Sequence, residues 1–284
     1  MKKKLALVVL LIAAMSACAS IIETNRSICV QAAAEELPLP IVMYHSVLKS
    51  RNGKYVIHPD ELERDIIKYK EMGYTPVTLR EVVAWVDGAA NLPEKPMVIT
   101  FDDGHHNNLH YALPILQKTN SKVVINIVTS FSRHASETPG ESDNPNYSYL
   151  TWNNISQLQN SGLVEIGNHT HAMHKFKPRY GIAQVSGETV ESYKQTLRTD
   201  IETANRFLTE NAGAPRPTTF AYPFGKYTKE GREVLLELGF RAILTCNEGV
   251  TTIRRGDPSS LLELKRYNRS GNVSHEKFIE KVFG

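Results

Sequence analysis

The sequence has few cysteines and no large excess of charge of either sign. Its 284 residues include three cysteines, and this number rules out a disulfide-stabilised scaffold. Cys18 and Cys29 lie near the N-terminus, and we expect the third, Cys246, to be a buried structural thiol. The 33 Lys and Arg residues against 30 Asp and Glu residues leave a formal net charge of +3. Because a phosphate backbone is bound by clustered positive charge, this balance argues against a dedicated nucleic-acid-binding protein.

Internal repeats, low-complexity tracts and interdomain linkers are also missing from the sequence. Hydrophobic residues make up 41% of the chain and charged residues 22%, which is typical of a globular protein rather than a disordered or fibrous one. The length suits one large domain. We therefore expect a single folded domain over residues 35–284, preceded by a leader over residues 1–34.

The first 34 residues have the features of a bacterial export signal. Lysines at positions 2–4 precede an apolar run over residues 5–14. Residues 15–18, which read MSAC, resemble a lipobox with Cys18 as the lipidated residue, whereas residues 32–34 resemble an ordinary signal-peptidase site. Residues 5–22 are also long enough to remain as an uncleaved anchor. Each alternative places the domain outside the cytoplasm, secreted or anchored to the cell membrane, with membrane contact only through the leader or its lipid.

From residue 37 onward, short apolar runs alternate with amphipathic helical patterns. We predict strands at 40–44, 97–101, 122–128, 164–166, 218–222, 241–245 and 263–267. Helices are predicted between them, the longest over residues 190–208, and another is predicted to begin at the capping-box pattern that starts with Thr78. Residues 132–149 lack periodicity and are predicted to form a long surface loop.

The alternation of strands and helices predicts a parallel sheet. Seven to eight such units predict a distorted (β/α) barrel in a single domain. In a barrel of this kind the chemistry gathers at the carboxyl ends of the strands. Polar residues that directly follow the apolar runs are therefore the candidates for a functional site.

Two adjacent carboxylates follow the predicted strand at 97–101. Residues 100–104 read TFDDG, and successive side chains of a strand point in opposite directions. Neighbouring carboxylates therefore seldom face each other across a sugar, as a glycosidase pair must. One metal ligand and one proton acceptor fit Asp102 and Asp103 better, although the segment alone could also be a simple turn.

A histidine-rich segment follows the predicted strand at 164–166. Residues 168–174 read NHTHAMH and supply imidazoles suited to zinc. His169 and His174 can converge on one ion in a loop, whereas His169 and His171 share a face in an extended segment, so the ligand pair stays open. Two histidines with Asp103 would make a catalytic zinc site that keeps a position for water. The alternative is a solvated turn.

A third segment closes the predicted strand at 218–222. Residues 220–225 read FAYPFG, and aromatic residues around proline and glycine make a rigid lip that suits the face of a sugar. A packed loop without a binding role is the alternative for this segment.

Together and in this order, these segments resemble the polysaccharide deacetylase family, which is also called the NodB-homology domain or carbohydrate esterase family 4. TFDDG matches the first family motif, the histidine segment the second, and YPFG at 222–225 the third. The resemblance runs from about residue 40 to the C-terminus. MYHSV at 43–47 and the five-residue spacing of His169 and His174 resemble the branch that includes poly-N-acetylglucosamine deacetylases.

The resemblance implies a zinc-dependent N-deacetylase that acts on N-acetylglucosamine-containing polysaccharide of the cell envelope or matrix. Asp103, His169 and His174 would hold the metal, and Asp102 would be the general base. Cobalt or nickel would accept the same ligands as zinc. The backbone N–H of Phe224 would stabilise the oxyanion, and the expected substrate-binding residues are Tyr222, Pro223 and Phe224.

Two other activities are compatible with the same motifs. An O-acetyl esterase acting on xylan or another surface glycan would use the same metal site. An inactive relative would bind carbohydrate without hydrolysing it, and the intact Asp102, Asp103 and His169 argue against that reading. The sequence does not distinguish peptidoglycan, poly-N-acetylglucosamine and chitin-like oligomers as substrates.

The sequence departs from the family pattern at two points. For the general acid we predict His45, at the end of the first strand, in preference to His275, whose place at the start of the last helix favours a surface position. The arginine that usually orients the base is replaced by Ala221. Lys265 or Arg266 is a candidate to substitute for it.

Overall fold

The computed structural model describes residues 35–138, 140 and 143–284. The predicted leader over residues 1–34, with its lipobox, cleavage and anchor alternatives, lies outside the described residues. Residues Glu36–Gly284 form one compact unit. None of the helices in the described part of the chain is long and apolar enough to cross a bilayer.

Parallel strands build the central sheet. The strands of the described chain, within and outside this sheet, are β1 (Glu36–Leu39), β2 (Ile41–Tyr44), β3 (Ser46–Val47), β4 (Val56–Ile57), β5 (Thr75–Pro76), β6 (Pro96–Phe101), β7 (Val123–Ile127), β8 (Val164–Asn168), β9 (Thr219–Ala221), β10 (Ala242–Leu244), β11 (Thr251–Arg254) and β12 (Tyr267–Asn268). The central sheet has the order β10-β9-β8-β7-β6-β2-β12, and β5 adds to β6. Every pair in this sheet is parallel.

The segment 264–268 joins the two ends of this sheet. Leu264 N donates to Ile243 O at 2.9 Å, and Thr245 N donates to Leu264 O at 2.9 Å, so the segment continues the sheet beyond β10. A few residues later, β12 pairs with β2. The sheet thereby closes on itself, and the predicted distorted (β/α) barrel is confirmed.

Eight α-helices lie in the described part of the chain. They are α1 (Pro59–Glu71), α2 (Leu79–Val86), α3 (Leu113–Thr119), α4 (Thr129–Glu137), α5 (Trp152–Asn160), α6 (Val190–Ala212), α7 (Lys229–Glu237) and α8 (His275–Phe283). The predicted capping box is present at the start of α2, where Thr78 Oγ1 accepts from Glu81 N and Glu81 accepts from Thr78 N. A π-helical turn (Asn108–Ala112) leads into α3.

Burial on both faces explains why the strands read as nearly continuous apolar runs. All six residues of β6 are buried. Val98 packs with residues of β2, β7 and β10 in one core cluster, whereas Ile99 packs in another that includes residues of α1 and α5. Helices on the outside and strand side chains on the inside thus cover both faces of a parallel sheet.

The prediction of a loop over residues 132–149 is wrong for its first part, because α4 extends to Glu137. The buried positions of this helix are Thr129, Ser132 and Ala135, so small and polar residues take the place of an apolar stripe. Hydrophobic periodicity therefore gives no signal there.

Candidate active site

A cavity of about 640 Å³ opens at the carboxyl ends of the barrel strands. Nearly all of the residues predicted from the sequence line it: His45, Asp102, Asp103, His169, His174, Tyr222 and Phe224. Pro223 is buried next to them and does not line the cavity. Four segments distant in sequence therefore meet at the end of the barrel where α/β-barrel enzymes carry their chemistry.

A second cavity, of about 600 Å³, lies near the amino ends of β7 and β8. Its buried carboxylate, Glu165, already accepts hydrogen bonds from Arg80 N at 2.9 Å and Thr219 Oγ1 at 2.8 Å. Glu165 thus links α2 to β9 at the amino end of the barrel. The chemistry-bearing residues belong to the first cavity.

Asp103, His169 and His174 form a compact cluster in the first cavity. One ligand atom from each lies within 4.8 Å of the others. Asp103 Oδ1 lies 3.2 Å from His174 Nε2 and 3.6 Å from His169 Nε2. Tetrahedral coordination with bonds of about 2.0–2.1 Å places ligand atoms roughly 3.3 Å apart, so these separations suit one cation.

The hydrogen bonds of the cluster leave the correct atoms free for a metal. His169 Nδ1 donates to Ala221 O at 2.7 Å, which presents the unprotonated Nε2 to the cavity. Asp103 Oδ1 is buried and makes no hydrogen bond to any described residue. One carboxylate and two imidazoles are a common protein ligand set of catalytic zinc. The residues present therefore fit a divalent cation.

The alternative ligand pair, His169 with His171, is not the one that the fold brings together. His171 lies outside the cavity, where its Nδ1 is 2.9 Å from Thr129 Oγ1 and its ring stacks on Phe207. The loop interpretation of the segment, with ligands five residues apart, is the one that the geometry supports.

Buried polar groups hold the histidine loop in place. The Asp200 carboxylate on α6 accepts from His171 N and from Ala172 N, both at 2.8 Å. Asn168 Oδ1 accepts from Thr170 N at 2.7 Å, and Asn168 Nδ2 donates to Asn205 Oδ1 at 2.9 Å. Four hydrogen bonds from α6 and Asn168 thus fix the turn between His169 and His174.

Backbone strain is concentrated at the same place. Four non-glycine residues of the described chain have a positive φ, and three of them, Asp103, Thr170 and Phe224, directly follow strands that end at the cavity. A positive φ is unfavourable for most L residues and costs about 1–3 kcal/mol each. Such strain persists where the surrounding structure enforces it, and it commonly marks functional sites.

Asp102 has surroundings unlike those of its neighbour Asp103. Its side chain is buried, and its Oδ1 accepts from Arg266 Nη1 at 2.9 Å and from Asn126 Nδ2 at 2.7 Å. Burial alone would raise the pKa of this carboxyl, but the Arg266 guanidinium and the nearby His169 outweigh burial and lower the pKa to about 2. Asp102 is therefore an ionised, oriented carboxylate at neutral pH.

Of the two basic residues considered as substitutes for an arginine at position 221, Arg266 is the one that contacts Asp102. Its guanidinium is fully buried, and its Nε donates to Thr245 O at 2.8 Å. Lys265, the other candidate from the sequence, is exposed. Arg266 lies within the segment that closes the barrel, so its approach to Asp102 depends on that closure.

Gly167 makes room for the second partner of Asp102. It pairs with Asn126 across β7 and β8. A Cβ at Gly167 would overlap Asn126 Oδ1. Only glycine at this position leaves space for the Asn126 carboxamide where it donates to Asp102.

His45 lies at the end of β2 and lines the same cavity. Its Nδ1 is buried and has no hydrogen-bond partner among the described residues. Burial lowers the pKa of this imidazole, against the opposing effect of Asp103 and Asp102. A protonated His45 would therefore be a stronger acid than free imidazole.

The third segment contributes one accessible side chain. The Tyr222 ring is fully buried and stacks on Tyr227 with a centroid separation of 4.6 Å. The Phe224 ring instead lies 4.4 Å from the His174 ring, at the wall of the cavity. Phe224 is thus the member of this segment that is placed to touch a ligand.

Two expectations about single residues are wrong. Cys246 is exposed rather than buried, because it lies at the cavity lining instead of in the core. His275 is buried rather than on the surface, because its Nδ1 lies 2.7 Å from the buried carboxylate of Asp65.

Glu61, Asp65 and His275 also place their ligand atoms within 4.8 Å of one another. Arg269 fills this cluster, since its Nε donates to Asp65 Oδ2 at 2.7 Å and its Nη2 to Glu61 Oε2 at 3.2 Å. A guanidinium already neutralises these carboxylates, so the cluster is an ion-pair network that joins α1 to the C-terminal segment. His275 does not line the active-site cavity.

Known proteins from two bacteria are similar to this chain in sequence. The chain is 26% identical over 240 residues to the poly-beta-1,6-N-acetyl-D-glucosamine N-deacetylase of Escherichia coli (strain K12). The match covers 75% of this chain and 33% of that relative. It is 23% identical over 203 residues to the enzyme of the same name from Staphylococcus aureus (strain MRSA252), covering 72% of this chain and 65% of that one. The chain thus spans about a third of the Escherichia coli relative and about two thirds of the Staphylococcus aureus one.

Solved structures share the fold. IcaB from Ammonifex degensii superposes with a TM-score of 0.70 at 24% identity, covering 87% of this chain and 97% of that one. The Streptococcus pyogenes deacetylase PplD gives a TM-score of 0.69 at 21% identity, covering 88% of this chain and all of that one. The polysaccharide deacetylase family profile matches residues 89–243, which is more than half of the sequence and includes the Asp102–Asp103 pair, His169, His174 and Phe224. The chain belongs to the polysaccharide deacetylase family.

Proposed function

We propose that this chain removes N-acetyl groups from N-acetylglucosamine residues of a polysaccharide. The observation that carries the proposal is the division of the two adjacent carboxylates. Asp103 faces His169 and His174, whereas Asp102 faces Arg266 and Asn126. A metal-ligand carboxylate beside an oriented, ionised base suits metal-assisted hydrolysis of an unreactive amide.

Asp103, His169 and His174 would hold a divalent cation, for which we propose zinc, with cobalt or nickel as ions that the same ligands accept. When bound, such a cation polarises the amide carbonyl and lowers the pKa of a water molecule. Within the chain, Asp103 supplies the negative ligand and the two imidazoles supply neutral ones. The Ala221 carbonyl fixes the tautomer of His169.

Asp102 would accept the proton of the attacking water. Its low pKa keeps it ionised over the range in which enzymes are assayed, and Arg266 and Asn126 hold its Oδ1 in one orientation. The other oxygen is left for the water. Asp102 would therefore act by position as well as by charge.

His45 would donate a proton to the departing sugar amine. Its unpartnered Nδ1 and its place in the cavity wall support this role, and burial makes its protonated form a stronger acid. The backbone N–H of Phe224 is proposed as a donor to the carbonyl oxygen as that oxygen becomes negative.

Poly-β-1,6-N-acetylglucosamine is the first substrate to test, because it is the substrate in the names of the relatives from two organisms. The leader features of residues 1–34 support an extracytoplasmic site of action on a cell-envelope or matrix glycan. Deacetylation would expose amines and give the polymer positive charge.

A substrate panel tests this proposal. Acetate release by the zinc-loaded domain is measured with N-acetylglucosamine oligomers in β-1,6 and β-1,4 linkage and with O-acetylated xylan. We expect release from the N-acetylglucosamine oligomers at a far higher kcat/KM than from xylan. Preference for xylan would instead make the chain an O-acetyl esterase, and binding without release would make it an inactive carbohydrate-binding relative.

A further inference from the structure

Three aromatic rings form a cluster at one wall of the active-site cavity. Phe176, Tyr180 and Phe224 line it together with the metal-ligand residues. The rings of Phe176 and Tyr180 lie 4.5 Å and 5.0 Å from that of Phe224, with interplanar angles of 21° and 8°. The two outer rings are 5.7 Å apart at 19°. The three rings are thus nearly parallel and stack against one another, and we call this stack the aromatic platform.

The outer part of this platform is open to solvent. Phe176 is 70% exposed and Tyr180 is 39% exposed. Burying a phenylalanine side chain contributes about 1.5–3 kcal/mol, so a packed loop would turn this ring inward. Exposed apolar groups that are continuous with a polar cavity are typical of ligand-binding grooves.

Hydrogen bonds hold the loop that carries the Phe176 and Tyr180 rings. Arg179 Nη1 donates to Ala183 O at 2.7 Å, and Arg179 Nη2 donates to Glu188 Oε1 at 2.6 Å. Tyr193 Oη, on α6, donates to Ile182 O at 2.7 Å. The segment between His174 and α6 is therefore fixed by hydrogen bonds on both sides of Tyr180. A platform fixed before a ligand arrives loses little entropy on binding.

We propose that Phe176 and Tyr180 bind the pyranose ring next to the one that reacts. This inference rests on the proposed function. Phe224, 4.4 Å from the ring of His174, lies nearest the metal ligands and would contact the reacting sugar. Phe176 and Tyr180 line the same cavity and are open to solvent, so they are available to a neighbouring sugar of the same polymer. The apolar C–H face of a hexosamine ring suits such a surface, because an aromatic side chain presents a large, rigid, polarised face.

The platform would make the enzyme prefer oligomers to short acetylated compounds. Because the outer rings lie away from the reacting atoms, they would contribute binding that is equal in the ground state and the transition state. Uniform binding of this kind changes KM and leaves kcat nearly constant.

The test compares Phe176→Ala, Tyr180→Ala and the double variant with Tyr147→Ala. Tyr147 is 66% exposed and does not line the cavity, so it is a matched control. Kinetics are measured with an N-acetylglucosamine pentamer and with 4-methylumbelliferyl acetate, an acetyl ester without a sugar. We expect the double variant to raise KM for the pentamer by about tenfold or more, which corresponds to about 1.4 kcal/mol of lost binding free energy. The ratio of kcat/KM for the pentamer to that for the ester should fall by a similar factor, and Tyr147→Ala should leave both values unchanged.

Other outcomes would overturn the inference. An unchanged pentamer KM in the double variant contradicts it, and so does an equal fall in kcat/KM for both substrates. If the wild-type protein releases no acetate from any oligomer, the proposed function fails, and pentamer binding is then measured alone by titration calorimetry. Binding that is lost in the double variant supports the platform independently of catalysis, whereas equal binding or no binding by the wild type rejects it.

Discussion

Arg266 Nη1 lies 2.9 Å from Asp102 Oδ1, and both side chains are buried. Arg266 comes from the segment 264–268, which joins β10 to β2 and closes the barrel. The segment that closes the barrel therefore also orients the proposed base. A chain that failed to close its barrel would also leave Asp102 without its positive partner.

Replacing Arg266 by methionine should shift the acid limb of the pH profile upward. The guanidinium is the largest influence that lowers the pKa of Asp102, and burial, which raises it, would remain. In the wild type, with a pKa of about 2, Asp102 stays ionised throughout the assay range. In the variant, protonation should begin at a higher pH, so kcat/KM should fall on the acid side first. We also expect about a 10- to 100-fold loss near neutral pH.

Lys265→Met is the control for that experiment, because Lys265 is the exposed neighbour of Arg266. Arg266→Lys keeps the charge and should recover part of the wild-type profile. An acid limb at the wild-type position in Arg266→Met would show that Arg266 does not set the ionisation of Asp102.

Gly167→Ala should impair catalysis through Asn126. The added methyl group overlaps the Asn126 carboxamide, which must move and lose its hydrogen bond to Asp102. We expect about a tenfold lower kcat and a stability loss of about 1–3 kcal/mol. Gly53→Ala, whose new methyl group would meet only Val56 at an ordinary contact distance of 3.8 Å, should have neither effect.

A double-mutant cycle makes this prediction specific. If Gly167 acts through Asn126, then Gly167→Ala should reduce kcat much less in an Asn126→Ala background than in the wild type. Additive losses in kcat would mean that the two residues act independently.

His174→Ala should remove bound metal, and His171→Ala should not. His174 Nε2 faces Asp103, whereas His171 faces Thr129 and Phe207 outside the cavity. Metal content after dialysis against zinc, measured by plasma mass spectrometry, should be near one ion per chain for the wild type and His171→Ala. It should be near zero for His174→Ala. Equal zinc content in the two variants would reject the assigned ligand set.

Asp200→Asn should weaken metal binding without touching a metal ligand. Its carboxylate accepts two consecutive backbone N–H groups between His169 and His174, and an amide would direct its NH₂ group at one of them. We expect a 10- to 100-fold rise in the dissociation constant for zinc, about the cost of losing an outer-shell contact. The control is Glu202→Gln, on the same helix as Asp200. Glu202 is in an accessible ion pair with Arg216, and its variant should bind zinc like the wild type. Unchanged zinc affinity in Asp200→Asn would show that the loop holds its shape without this carboxylate.

Much of the barrel could be predicted because its signals are local. The strands β6, β7 and β8 are buried along their whole length and begin with apolar residues, and the stripe of α6 repeats every three or four residues. Two features lacked such signals. Helix α4 buries Thr129, Ser132 and Ala135, and the antiparallel pair β1 with β11 joins segments more than 200 residues apart.

The residues of the site likewise differ in whether a local sequence signal marks them. Asp102, Asp103 and the histidines follow apolar runs directly, so their positions at the cavity follow from the strand ends. Asn126 and Asp200 act from elements whose sequences carry no motif, and their partners are set only by the closed fold. Among the two basic residues considered for Asp102, only the barrel closure selects Arg266 over Lys265. Phe176 and Tyr180 carry no such signal, because exposed aromatic residues in a loop resemble ordinary surface residues until the fold stacks them against Phe224.

The most direct test of the account is acetate release from N-acetylglucosamine oligomers by wild-type protein and Asp102→Asn, each assayed with zinc and after chelation. We expect release by the zinc-loaded wild type alone. Asp102→Asn should lose about 100-fold or more of kcat while it retains its zinc, since Asp102 is not among the proposed ligands. Release that survives chelation, or that persists in zinc-loaded Asp102→Asn at a rate close to that of the wild type, would contradict the account.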